Sequence, residues 1–212
     1  DKAIAYLKQR GLSGEVARKF GIGYAPEGWQ GLGTVFDDYA MPELQQAGLV
    51  IRNEQGRLYD RFRDRVMFPI INQKGEVIAF GGRVIGEGEP KYLNTGETPL
   101  FHKSEVLYGL DKAKAAMAST GVAVIVEGYT DVIALHEAGF TNAVATLGTA
   151  LTRQHIRILS HHAKSKIIYL FDGDAAGQRA ADRALEFIDS SMTPEAGIMR
   201  IDLFAATIPD DQ

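Results

Sequence analysis

The sequence predicts an α+β amino-terminal subdomain joined to an α/β domain built on a parallel sheet of strand order 2-1-3-4 with helices on both faces. Three observations lead there. After Gly121, short apolar runs without polar alternation (122–126, 142–146 and 166–171) alternate with helical stretches. That is the texture of buried parallel strands joined by right-handed βαβ crossovers. Before Gly121, short helices give way near Leu49 to runs of strand character separated by turn residues. Finally, two of the parallel runs end in carboxylates, Glu127 after Val126 and Asp172-Gly-Asp174 after Phe171. If these acids share one site, their strands are neighbours, which fixes the order and puts the switch point at the carboxylates.

Each element has a local reason. Lys2 to Arg10 forms a helix closed by Gly11, and Ser13 caps a second that runs to about Phe20 and stops before Gly21 and Gly23. Pro42 occupies the first turn of a third helix, which ends near Gly48. Leu49–Ile51, Arg65–Ile71 and Val77–Phe80 are strands, the last two joined by the turn Asn72-Gln-Lys-Gly75. Residues 85–105, rich in Gly, Pro, Asn and Thr, form a loop, and a helix follows at about Asp111 to Ala118. Ser119-Thr-Gly121 is the expected boundary between residues 1–120 and 121–212. Beyond it come a helix at about Asp131 to Ala138 stopped by Gly139, a helix capped by Thr152, a long helix Ala176 to Ser190, and a fourth strand at about Ile198 to Phe204.

Composition sets bounds. The 212 residues carry 23 basic and 27 acidic side chains, a net charge of −4, and no cysteine. Without cysteine there are neither disulfides nor thiolate zinc sites. No apolar stretch approaches the roughly 18 residues of a membrane span, so no membrane partner is expected, and a cytoplasmic location is the default. The chain starts at Asp1 without Met, which suggests a piece of a longer protein. Residues 1–110 hold 14 basic and 14 acidic residues, and the remainder holds 9 and 13. The acidic excess therefore lies in the half that carries the carboxylates. A polyanion can still bind through a local basic patch if a cation masks those acids.

Asp172 and Asp174 are two residues apart, and Gly173 permits the tight turn that brings both to one ion. Asp131 follows Glu127 by four residues, one helical turn, so it can point back into the same crevice to bind a second ion or orient a metal-bound water. Like charges resist ionising side by side, and a divalent cation relieves that cost. An all-oxygen donor set suits a hard cation such as Mg²⁺, with Mn²⁺ able to substitute. Glu127, Asp172 and Asp174 are thus the expected metal ligands. A helix-capping role alone would also account for Asp131 or Asp174.

Basic and polar residues form two further groups. Arg61, Arg63 and Arg65 alternate, so an extended segment puts them on one face. They suit phosphate through their planar forks, or form a surface stripe paired with Asp60 and Asp64. Lys91, Asn94 and Lys103 lie beside Tyr92 in a polar loop that can grip phosphates and stack on a base, or is simply solvated. Trp29 and the glycines around it suggest a loop with an anchoring aromatic, and no metal-ligand spacing joins the five histidines.

Val126-Glu-Gly-Tyr-Thr-Asp131, Ala145-Thr-Leu-Gly-Thr149 and Tyr169-Leu-Phe-Asp-Gly-Asp-Ala-Ala-Gly177 resemble the TOPRIM domain of bacterial primases, type IA and type II topoisomerases and some nucleases. Tyr59-Asp-Arg-Phe-Arg-Asp-Arg-Val-Met-Phe-Pro69, Phe80-Gly-Gly-Arg83, Pro90-Lys-Tyr-Leu-Asn94, Phe101-His-Lys103 and Leu107-Tyr-Gly-Leu110 narrow the resemblance to the bacterial replicative DNA primases. It covers essentially the whole chain and matches that family's RNA-polymerase core. The resemblance implies Mg²⁺ on Glu127, Asp172 and Asp174, with Asp131 in the catalytic set. It places Arg10, Arg61, Arg63, Arg83, Lys91, Tyr92, Asn94 and Lys103 in a basic groove for template and incoming nucleotide. The implied reaction is templated joining of ribonucleoside triphosphates into short RNA on single-stranded DNA. A replicative helicase is the implied partner, although the family's helicase-binding and zinc-binding domains have no counterpart here. The family's further Asp-Pro-Asp motif is not reached either, and Asp210 and Asp211 do not replace it. The alternatives are a TOPRIM nuclease or topoisomerase, and a non-catalytic nucleotide- or DNA-binding fragment.

Overall fold

A computed structural model describes residues 2–171 and 202–207. The chain divides into two compact units, residues 1–102 and 103–212.

The first unit opens with α1 (Lys2–Gln9) and α2 (Gly14–Lys19). Ser13 caps α2 as expected, its Oγ accepting from the Val16 N–H at 3.2 Å. Next come β1 (Gly23–Ala25), a 3₁₀ turn (Gly31–Thr34), α3 (Pro42–Gln46), β2 (Val50–Arg52) and β3 (Leu58–Asp60). The long pair β4 (Arg65–Ile71) and β5 (Val77–Val84) precedes β6 (Tyr92–Asn94). An antiparallel sheet runs β1-β4-β5-β6, and β2 pairs with β3 separately. The β4–β5 turn forms where expected, with Asn72 Oδ1 accepting from the Lys74 and Glu76 amides at 2.9 and 3.0 Å.

Three short strands, β1, β3 and β6, escape the sequence pattern. Each has three residues, too few for alternation to show, and β1 and β6 are sheet edges that bury little. Strand β5 also continues past Phe80 through Gly81 and Gly82, a pair that normally ends a strand. Space is the reason for Gly82, since a Cβ there would lie 2.9 Å from Phe62 Cδ1 and 3.0 Å from Arg65 Cδ.

The second unit contains α4 (Leu110–Thr120), β7 (Val122–Val126), α5 (Tyr129–Glu137), β8 (Ala143–Ala145), α6 (Arg153–His162), β9 (Lys166–Phe171) and β10 (Asp202–Thr207). Its sheet is parallel throughout and runs β10-β9-β7-β8, the predicted 2-1-3-4 order. Ala123 and Ile125 of β7 face Leu110, Ala113 and Met117 of α4 and Ile156 and Leu159 of α6 in one buried cluster. Strand alternation turns Val124 and Val126 to the opposite face. There α5 contributes buried Val132 and Ile133, and His136 Nε2 donates to the Ala143 carbonyl at 2.9 Å. The expected helix Ala176–Ser190 lies outside the described residues.

The compact division falls between His102 and Lys103, ahead of the 120/121 boundary expected from Ser119-Thr-Gly121. The physical reason is packing: α4 buries Leu110, Ala113 and Met117 in the core of the parallel sheet. Tyr108 also exchanges backbone hydrogen bonds with Ala145 of β8, at 2.9 and 3.1 Å. Gly121 marks where helix α4 ends.

Candidate active site

Strand β7 delivers Glu127 to the carboxyl edge of the parallel sheet, where its side chain is exposed. Strand β9 is hydrogen-bonded beside it, with Ile125 opposite Tyr169. Burial raises the Tyr169 phenol pKa; a Thr146 hydrogen bond opposes that rise, and the Glu127 negative charge adds to it. Glu127 therefore acts electrostatically on Tyr169 of the neighbouring strand β9. Asp172 and Asp174 follow in sequence and lie outside the described residues, as do Asp210 and Asp211. Among the described residues no group of three or more His, Cys, Asp or Glu is gathered for a metal. The available donors, an exposed carboxylate at the sheet edge and no thiolate anywhere in the chain, fit a hard divalent cation.

Asp131 has a defined structural job. Helix α5 begins at Tyr129, two residues earlier than expected, with Gly128 extended at φ −122° and ψ 158° as its N-cap. Glu127 thus precedes the helix, so the two acids are not one helical turn apart. Asp131 Oδ2 turns back and accepts from the Gly128 N–H at 3.1 Å. A Cβ on Gly128 would meet that same oxygen at 2.8 Å and push the carboxylate out of its capping position. Replacing Asp131 with Ala should cost about 1 kcal/mol of stability through the lost cap, read from a urea midpoint; an unchanged midpoint would remove the capping role.

The basic residues fall on different surfaces. Arg83 lies opposite Tyr92 across β5 and β6 and is 6% exposed. Its guanidinium stacks 4.9 Å from the Tyr6 ring, and its Nε donates to Tyr92 Oη at 3.3 Å. Arg10 approaches the same Tyr6 ring at 5.5 Å. Arg10, Tyr6, Arg83 and the half-exposed Tyr92 thus form one chain of stacked groups, with exposed Lys91 next to Tyr92. Arg83 is chiefly a buried bracket between α1 and β6.

Arg61, Arg63 and Arg65 do not lie on an extended run. Asp64 between them takes φ 50°, and only Arg65 is in a strand. Arg61 donates through Nε and Nη2 to the Asn94 carbonyl at 3.1 and 2.7 Å. Arg65 is buried and reaches the Gly82 carbonyl at 3.3 Å. Burial lowers the Arg65 pKa, and the nearby charges of Arg63 and Arg61 lower it further. The expected pairing with Asp60 and Asp64 is not seen. Asp60 accepts from Tyr39 Oη and the Leu32 N–H at 2.6 and 3.1 Å, and Asp64 accepts from Lys2 and Tyr24.

Arg63 Nη1 donates to the Asp60 carbonyl at 2.6 Å while its guanidinium lies 4.2 Å over the Trp29 ring and 5.2 Å from Tyr59. Trp29 is 65% exposed, so it is not the anchor that the sequence suggested. Trp29 and Tyr59 line an open cleft of about 650 Å³ with Gln30, Asn53, Arg57 and Leu58. Trp29 and Tyr59 are candidate site residues missing from the sequence reading. Their one signal was a lone tryptophan in a glycine-rich loop upstream of an Arg-rich segment. Lys103 alone of the basic set belongs to the second unit, where its carbonyl accepts from His155 Nε2 at 3.0 Å.

Comparison with known proteins agrees with this architecture. Residues 1–114 match the family model described as DNA primase catalytic core, N-terminal domain, and residues 121–200 match the Toprim domain. A DNA primase of Neisseria meningitidis serogroup A is 54% identical over 184 residues, covering 87% of this chain and 31% of the relative. That of Escherichia coli K12 is 50% identical over 188 residues, covering 87% and 32%. The chain thus spans about a third of the length of these relatives. A DNA primase domain from Pseudomonas aeruginosa superposes with a TM-score of 0.88 at 47% identity, covering all of this chain and 65% of the other. A DnaG primase catalytic domain bound to single-stranded DNA gives 0.86 at 45%, covering all of this chain and 67% of the other. Matched along both halves, this chain belongs to the DNA primase catalytic core family, with a Toprim domain as its second part.

Proposed function

We propose that the chain is the part of a DNA primase that carries out Mg²⁺-dependent joining of ribonucleoside triphosphates into short RNA on a single-stranded DNA template. One observation carries this reading: β7, which leads directly into Glu127, is paired with β9, after which the chain continues into Asp172-Gly-Asp174, at the point where strand order reverses. Family membership supports it, since the amino-terminal match separates the chain from the topoisomerases and nucleases that share only the Toprim part.

Glu127, Asp172 and Asp174 would hold Mg²⁺, or Mn²⁺ in its place. The ion supplies charge neutralisation at the phosphates. The protein's part is positioning and electrostatics, as is general where phosphorus is transferred between oxygens. Arg10, Arg61, Arg63, Lys91, Tyr92, Asn94 and Lys103 would contact template and triphosphate, with Arg83 acting from beneath as a support for Tyr92. Asp131, besides capping α5, would orient a water or second ion. A replicative helicase is the proposed macromolecular partner and the cytoplasm the proposed site of action; no described helix is long and apolar enough to cross a membrane. The direct test is incubation of the full-length protein with single-stranded DNA, Mg²⁺ and labelled ribonucleotides. Growth of RNA supports the reading, and cutting of the DNA strand without RNA growth overturns it.

Exposed Trp29 under the Arg63 guanidinium is a ready platform for a base, because each base offers a π-face and aromatic stacking needs no sequence code. Trp29→Ala should weaken binding of a labelled single-stranded oligonucleotide about tenfold, in line with one lost base stack. Anisotropy titration measures this, and unchanged affinity would remove Trp29 from the template path.

A further inference from the structure

The segment leading to α4 is tied down at two places, one on the sheet and one on helix α6. Downstream, Tyr108 forms its two-bond bridge to Ala145. Upstream, the amino terminus of α6 grips residues 103–104. Thr152 Oγ1 donates to the Ser104 carbonyl at 2.6 Å and accepts from the His155 N–H at 3.1 Å. His155 is 0% exposed and has both ring nitrogens in use. Nδ1 faces the Thr152 N–H at 3.3 Å, and Nε2 faces the Lys103 carbonyl at 3.0 Å.

These partners fix the tautomer. An amide N–H can only donate, so Nδ1 accepts; a carbonyl can only accept, so Nε2 carries the proton. Burial lowers the His155 pKa, against the opposing pull of the Lys103 and Val106 backbones, and so favours the neutral ring. A buried neutral imidazole with both nitrogens bonded is more than a helix cap requires, because Thr152 already supplies the usual side-chain oxygen. The additional bond is made to the Lys103 carbonyl, with the Val106 backbone also close to the ring.

We infer that His155 is a positioning residue for Lys103: by holding the Lys103 carbonyl it fixes the backbone from which the ammonium reaches the nucleotide phosphates. The inference rests on the reading that Lys103 contacts the triphosphate. It links the start of α6, to which no catalytic group is assigned, to nucleotide binding through the neighbouring segment 103–104. A lysine amine on its flexible stem loses aim when its backbone anchor is released, which weakens substrate binding more than it slows chemistry.

Two substitutions separate the clamp from the cap. His155→Asn keeps an acceptor near the Nδ1 position for the Thr152 N–H but cannot reach the Lys103 carbonyl. His155→Gln places an amide donor near the Nε2 position and restores that reach. In full-length primase on single-stranded DNA, His155→Asn should raise the KM for ribonucleoside triphosphates about five- to tenfold, the effect of one hydrogen bond, with kcat within about twofold. His155→Gln should return KM towards wild type. Lys103→Ala should raise KM as well, and adding His155→Asn to it should raise it no further. If Lys103→Ala leaves KM unchanged, the assignment of Lys103 to the nucleotide fails. If Lys103→Ala raises KM while His155→Asn does not, or the two effects multiply in the double variant, the positioning role is overturned. Near-ultraviolet circular dichroism of His155→Asn matching wild type confirms that a KM change is not a loss of fold. Should His155→Asn fold poorly, the comparison passes to His155→Ser, which likewise cannot reach the Lys103 carbonyl: a raised KM with kcat within about twofold upholds the clamp, and a wild-type KM overturns it.

Discussion

Glu127→Gln in the full-length protein should reduce ribonucleotide incorporation on single-stranded DNA about a hundredfold or more, the scale seen when one preorganised charge-stabilising group is removed. The amide has the shape of the carboxylate and lacks only its charge. Glu127 is exposed at the end of β7, so the substitution leaves no buried polar group unmatched. Thermal stability should therefore stay at the wild-type value while Mn²⁺ binding weakens. Asp172→Ala should have the same consequence for incorporation. Normal primer yield from either variant would sink the assignment of these acids to a metal. Retained Mn²⁺ affinity with lost synthesis would instead leave the site intact and move the acids' role to the substrate.

The largest effect on stability is expected in the strand that carries this acid. Ile125 is 0% exposed, midway along β7, with Val144 on one side and Tyr169 on the other as register partners. Its side chain lies in the cluster formed with α4 and α6. Ile125→Ala removes three carbons from a packed interior and should cost about 3–4 kcal/mol, the transfer term plus the cavity left behind. A urea denaturation midpoint of the second unit's signal measures it. As a control, Val77→Ala, at a half-exposed strand start in the first unit, should change stability by less than about 0.5 kcal/mol. Equal losses at the two positions would mean that the parallel sheet is not the stable centre described above.

The legible parts of the fold share a cause. Strands β7 and β8 are buried on both faces and β9 is buried on one and half-buried on the other, so they appear as apolar runs without polar alternation. Ser13 and Thr152 announced their helices because a capping oxygen works through local geometry alone. Strands β1, β3 and β6 were not legible, since three-residue segments take their pairing from distant partners. Arg83 and Trp29 show the same limit in side chains. A charged residue was expected in an open groove and is buried on Tyr6, while an aromatic expected as an anchor is exposed under Arg63.

By itself, then, the sequence determined the order of the parallel sheet and the acids at the ends of its strands, because burial pattern and chain direction are written along the chain. Only the tertiary structure decided which neighbour each polar group meets: Asp131 turned back to the Gly128 amide, Arg61 bound to the Asn94 carbonyl, His155 closed on Lys103. Such pairings join residues far apart in sequence or turn on a single backbone angle. No periodicity encodes them, and the packing that creates them also sets what each group can do.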